Sequence, residues 1–157
     1  MHEGIDLRER VSMLLRKAGI ADSEILLAWR NDEATRMNSL NSAIVQFDEH
    51  ARWLDRALRS TDRSLFIVEE FGIPVGTLRI DSLPDGKKDL SWTIAPERRG
   101  TGIAKRAVKQ VVDEHPDWVF VAQIKPANTA SIRIAENAGF RLQREENGVL
   151  FFTSYRG

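Results

Sequence analysis

The 157 residues contain no cysteine. That excludes a disulfide scaffold, a thiolate zinc site, an iron–sulfur cluster and a cysteine nucleophile. Long apolar runs are also missing: the longest, residues 25–29 and 118–122, are five residues each, against about 20 for a membrane-spanning helix. No membrane span is expected. The first six residues lack a basic start and an apolar core, so no signal peptide is read and a cytoplasmic location is expected. An excess of charge is absent too, with 23 Lys and Arg against 23 Asp and Glu. A chain without net positive charge is poorly suited to bulk nucleic-acid binding. The three histidines, His2, His50 and His115, are too far apart for a metal-binding spacing, and no metal is expected.

What remains is an ordinary globular composition, 42% hydrophobic and 29% charged, in a length that suits one domain. No linker or repeat divides it. Residues 1–10 read as an N-terminal extension and 11–157 as a single domain. Residues 11–17 suggest a first strand. Asp22 or Ser23 could cap a helix with Ile25, Leu26 and Trp29 on one face, whereas residues 31–46 are polar and show no clear period. Asp48 suits the cap of a helix in which Phe47, Ala51, Leu54 and Leu58 recur at helical spacing.

Three strands follow as an antiparallel meander over residues 65–69, 75–81 and 90–94, with turns at Phe71-Gly72 and Pro84-Asp85-Gly86. Ile103, Ala104, Ala107, Val108, Val111 and Val112 form a strong amphipathic stripe. The apolar stretch 118–124 reads as a strand covered on both faces. A helix over 128–138 ends at Gly139, and Asn147-Gly148 joins two final strands. The expected fold class is α/β (α+β): a mixed, mostly antiparallel sheet of about seven strands with about four helices.

The stretch from Arg98 to Arg106, RRGTGIAKR, lies where a strand gives way to a helix. Gly100 and Gly102 leave room for a tight turn and a close anion. Unpaired N–H groups and the helix dipole then favour a pyrophosphate. Arg98, Arg99, Lys105, Arg106 and Lys109 add positive charge. A Walker A loop is absent, and the third glycine of a dinucleotide fingerprint is replaced by Lys105. Spacing alone leaves open a glycine-rich helix start that binds nothing.

Arg99-Gly100-Thr101-Gly102-Ile103-Ala104 resembles the R/Q-x-x-G-x-G/A signature of the GNAT N-acetyltransferases. Downstream, Asn128, Ser131, Gly139 and Phe140 match that family's N-x-x-S…G-F pattern. The resemblance extends from about Val11 to the end and reaches the ribosomal-protein alanine and nucleotide-aminosugar acetyltransferase subgroups. It implies a GNAT fold, acetyl-CoA (coenzyme A) as co-substrate, and direct attack of a primary amine on the thioester. Arg99, Gly100, Thr101, Gly102, Ile103, Ala104 and Lys105 then cradle the pyrophosphate. Trp92 and Ile94 bind pantetheine and the acetyl carbonyl through their backbone. Asn128 bonds the pantetheine arm, or simply caps its helix, and Ser131 lies near the sulfur.

By position on the fourth strand the resemblance makes Asp89 the general base; the residue-level alternative is a solvent-facing carboxylate. A tyrosine that many members use to protonate the thiolate is here Ala135, and the one tyrosine, Tyr155, lies elsewhere. That departure favours the alternative of a non-catalytic acyl-CoA sensor or interaction module. Trp29, Arg30, Asn31, His50 and Trp53 fall where the family builds its acceptor pocket. Both tryptophans could equally be core. The acceptor is a small-molecule or peptide amine, such as a nucleotide-linked amino sugar or a protein N-terminus. Self-association as a homodimer through a strand edge stays open.

Overall fold

The computed structural model describes residues 13–154. The extension expected over 1–10, Val11 and Tyr155 lie outside them. The order is β1 (Met13–Lys17), a 3-10 turn (Ile20–Asp22), α1 (Ser23–Asn31), α2 (Glu33–Asn38), α3 (Phe47–Arg59), β2 (Arg63–Glu70), β3 (Ile73–Ser82), β4 (Lys88–Ile94), a second 3-10 turn (Pro96–Arg98), α4 (Ile103–Glu114), β5 (Phe120–Ile124), α5 (Thr129–Asn137), β6 (Phe140–Glu146) and β7 (Val149–Ser154). The seven strands form one sheet in the order β1-β2-β3-β4-β5-β7-β6. Every pair is antiparallel except β4 with β5. Among the described residues, seven strands agree with the expectation and five α-helices stand where about four were anticipated.

The alternating pattern of each strand sends side chains to two helical layers. On one face α4 contributes Ile103, Ala107, Val108, Val111 and Val112, and α5 contributes Ala135, against Leu78, Leu90, Phe120, Ala122 and Phe152. On the other face, Leu26 and Trp29 of α1 and Leu54 of α3 pack on Leu65, Ile67 and Ala95. The hairpin turns fall as anticipated. Phe71 (φ 52°) and Gly72 (φ 79°) join β2 to β3, and Asn147 (φ 53°) and Gly148 (φ 76°) join β6 to β7. Two positive φ values in succession match the strand twist.

Several expectations are corrected. Strand β5 is covered on one face only, because Phe120, Ala122 and Ile124 are buried while Gln123 is exposed. Asp22 occupies the cap position of α1, as one of the two candidates, but makes no side-chain cap; its carboxylate is held by Arg16 at 2.8 Å and by the Gly19 N–H at 2.8 Å. The cap position of α3 is Gln46, and Asp48 lies inside its first turn. Helix α2, absent from the sequence reading, has no buried residue. Without an apolar stripe it leaves no period to detect.

Regular pairing breaks down between β4 and β5. These strands share only two rungs, Lys88 with Phe120 and Asp89 with Val121, and then part. From Leu90 onward the β5 side of β4 has no strand partner.

Candidate active site

The wedge between β4 and β5 opens into a cavity of about 440 Å³. Trp92, Thr93 and Ile94 line it from β4, residues 98–105 from the loop and start of α4, and Asn128, Ala130, Ser131, Arg133 and Ile134 from α5. Backbone polarity along β4 follows from two hydrogen bonds. The Lys88 N–H donates to Val119 O, on the β5 side, at 2.9 Å; the Ala95 N–H donates to Val75 O of β3 at 2.8 Å. N–H groups alternate along a strand, so those of Trp92 and Ile94 point into the wedge, where β5 has withdrawn.

Two helix N-termini border the same space. Gly100 (φ 76°) and Gly102 (φ 82°) take the left-handed conformation, and a Cβ on either would meet open space rather than protein. Gly102 is the cap position of α4 and supplies no side-chain cap, so the first amides of that helix are uncapped. Helices α1, α2 and α3 each carry an acidic residue in the first turn; α4 and α5 carry none. Both helices lacking an acidic first turn start at this cavity, which α2 also borders through Ala34, Thr35 and Asn38. The donor set therefore fits a phosphate-bearing ligand.

The basic residues divide in a way the sequence did not reveal. Arg98 and Arg106 are both paired with Glu70, at 3.2 and 3.0 Å, and Lys109 with Asp113 at 3.1 Å. Arg99 pairs with Asp32 and donates to Thr35 Oγ1, tying α2 to the loop. Arg106 and Lys109 do not line the cavity, correcting their expected contribution. Lys105 lines it and has no partner among the described residues, and exposed Arg133, which the sequence reading missed, joins it there. Arg133 lies three residues beyond Ala130 on α5, one turn along the same wall, and that spacing was the available signal.

Asn128 accepts the Ser131 N–H through Oδ1 at 3.2 Å, capping α5 and leaving its amide N–H groups available. Ser131 Oγ accepts from the Trp92 indole N–H at 3.2 Å. With that lone pair engaged, the hydroxyl proton is free to be donated elsewhere in the cavity. Ala135 is fully buried in the core and does not reach the cavity.

A second cavity of about 550 Å³ lies on the face covered by α1 and α3. It is lined by Trp29 and Arg30 of α1, Asn41 and Val45 of the loop, His50, Trp53 and Arg56 of α3, Arg79 of β3, and Ser91, Trp92 and Thr93 of β4. Trp92 and Thr93 line both cavities, which meet at the opened strand. Trp29 is both core and wall: it is buried in the second cluster and still faces this space. Asn31 is not among the lining residues. Its side chain instead exchanges two 2.8 Å hydrogen bonds with the backbone of Val45, pinning the loop.

Asp89 is half-buried on β4 and lines neither cavity. Burial pushes its carboxyl above the usual carboxylate range; the Asp81 charge adds to this and Arg79 opposes it. His50 is held below the usual imidazole range by burial and by the Arg30 charge, so it stays neutral near pH 7. Among the described residues no cluster of His, Cys, Asp or Glu suits a metal, and no helix is long and apolar enough to cross a membrane.

The acetyltransferase (GNAT) domain family model matches residues 12–141. The chain belongs to the GNAT acetyltransferase family. No curated protein sequence matches significantly, but solved structures share the fold. The spermidine N-acetyltransferase of Vibrio cholerae in complex with CoA and spermine superposes with a TM-score of 0.81 at 16% identity, over 91% of this chain and 95% of that one. The aminoglycoside acetyltransferase AAC(6')-Ib, in complex with coenzyme A and kanamycin, gives 0.78 at 18% identity over 92% and 95%. A domain from Methanocaldococcus jannaschii gives 0.79 at 19% identity over 90% and 96%. Membership makes this chain an acetyl-CoA-dependent N-acetyltransferase.

Proposed function

We propose that the chain acetylates the nitrogen of a small-molecule amine held in the second cavity, with the acetyl donor in the first. The observation that carries this is the meeting of the two cavities at Trp92 and Thr93, on the opened side of β4. When bound, acetyl-CoA supplies an activated acyl carbon. The residues around it orient it and manage charge.

Gly100, Thr101, Gly102, Ile103, Ala104 and Lys105, with Arg99 near them, hold the pyrophosphate through uncapped amides and the free Lys105 ammonium. The Trp92 and Ile94 N–H groups donate to the bound donor in place of β5, one of them to the carbonyl where negative charge develops. Asn128 bonds the extended arm with its spare N–H groups. Ser131 hydrogen-bonds the departing sulfur through its hydroxyl and so stabilises the thiolate, a contact that Ala135 cannot make. Asp89 is the proton acceptor. Its raised pKa suits the task, and because it lines neither cavity the proton reaches it through water. Holding both reactants at one junction contributes by itself to rate.

The test is thermal unfolding with and without acetyl-CoA, beside Gly102→Glu, which puts a carboxylate in the pyrophosphate cradle. Ligand at about 100 times its Kd stabilises by roughly 2.7 kcal/mol, which for this size raises Tm by about 5–10 °C. A shift in the wild type alone, followed by CoA release with an amine, supports the reading. A shift without turnover on any amine would instead establish a sensor.

A further inference from the structure

We propose that the acceptor amine carries an oxyanion group, a phosphate or carboxylate, which Arg30 and Arg79 hold in the second cavity. This rests on the acetyltransferase reading and names the acceptor's class. Among the described residues, two buried side-chain polar atoms have no hydrogen-bond partner: Arg30 Nη1 and His50 Nδ1. Both residues line this one cavity. Unpartnered buried polar atoms are rare in folded proteins, and each calls for an explanation; both here belong to residues in the wall of one cavity.

Charge agrees. Arg30, Arg56 and Arg79 line the cavity, while among the described residues Glu49 is its one acidic residue and is exposed. Arg30 is anchored from the other side, its Nη2 donating to Asn41 O at 2.7 Å. Arg79 is tied to Asp81 through Nε at 3.3 Å, leaving its terminal nitrogens without a partner among the described residues. Burial disfavours the Arg30 charge, and the neighbouring charges of Arg36 and Arg79 add to this. His50, 4% exposed and neutral, adds a further polar contact. A planar guanidinium with free N–H groups matches phosphate and carboxylate geometry. A polyamine would meet repulsion here.

The experiment measures equilibrium binding through tryptophan fluorescence, with Trp29, Trp53 and Trp92 in the cavity wall, both with and without CoA. The probes are glucosamine against glucosamine 6-phosphate, phenylalaninamide against phenylalanine, and spermidine. The oxyanion-bearing member of at least one pair binds tenfold or more tighter than its counterpart without the oxyanion, and the pair that does so separates phosphate from carboxylate. Arg30→Gln abolishes the preference and Arg30→Lys retains part of it, with each variant's fold checked by its acetyl-CoA thermal shift. Equal or weaker binding of both oxyanion-bearing members, no binding of any probe, or tighter binding of spermidine overturns the proposal. Loss of the acetyl-CoA shift in the wild type overturns the acetyltransferase reading separately, because cavity binding is also read without CoA.

Discussion

Gly76 of β3 faces β4 at the point where the two cavities meet. A Cβ built there lies 2.8 Å from Thr93 O and 2.8 Å from Ile94 Cδ1. Ile94 can rotate its side chain away. The Thr93 carbonyl cannot, because Thr77–Thr93 and Gly76–Ile94 are consecutive rungs of the ladder. Gly76→Ala must therefore push β4 by several tenths of an ångström. Overpacking of this kind costs about 1–3 kcal/mol, and a domain this long loses about 2–4 °C in Tm per kcal/mol. The expected loss is about 2–12 °C. Gly19→Ala is the comparison, since nothing lies within 4 Å of its Cβ and its backbone is extended. Because Trp92 and Ile94 move with Thr93, kcat falls as well, by up to about 100-fold for a displacement near 1 Å. Scanning calorimetry reads the first effect and steady-state kinetics the second. If Gly76→Ala melts within about 1 °C of Gly19→Ala, β3 does not approach β4 this closely, and the backbone geometry assigned to the site is wrong with it.

Ser131→Ala removes the acceptor of the Trp92 indole N–H and the hydroxyl offered to the sulfur. It is expected to cost about 1 kcal/mol in stability and to lower kcat roughly tenfold, less than a typical general acid contributes because a thiolate is a weak base. KM for acetyl-CoA should stay nearly constant in steady-state assays; a large rise in KM alone would assign Ser131 to binding. Asp89→Asn tests a second link. Burial raises the native pKa of Asp89 above its unfolded value, so its carboxyl costs stability increasingly as pH rises from about 4 through that native pKa. The variant should be more stable than the wild type in urea unfolding at pH 7, and the difference should shrink as pH falls toward 4. At the same time its turnover should fall near neutral pH, and full turnover at every pH would remove Asp89 from the mechanism.

Much of this was legible because it rests on local pattern. The α4 stripe, the Asn147-Gly148 turn and the glycines before α4 each reflect a backbone or burial requirement written in neighbouring residues. The capping role of Asn128 was legible for the same reason. What escaped depends on residues distant in sequence. Arg106 reads as a phosphate ligand until Glu70 of β2 is seen to hold it outside the cavity. Asn31 read as an acceptor contact, yet its partner is the backbone of Val45, fourteen residues on. The loop before α3 has no period to read because its backbone is satisfied by side chains of α1 and α2, with Arg30 on Asn41 and Arg36 on Ser42. Cavity walls draw on both kinds of information. Trp29 lies on a helical apolar stripe whether or not a space opens beside it.

A strand edge left open on the outside of a sheet invites another chain to add to it, which proteins usually guard against. Here an open edge is placed inside the sheet instead. Beyond Asp89, strand β4 has lost β5 but still has β3 on its other side, while helices α4 and α5 begin across the gap. A whole polypeptide strand cannot enter such a notch flanked by its own neighbours. A slender, flexible ligand with carbonyl and amide groups can, taking the position of the missing strand. The same unpaired backbone that would promote aggregation at a periphery thus becomes selective by location, with no side chain needed to exclude the wrong partner.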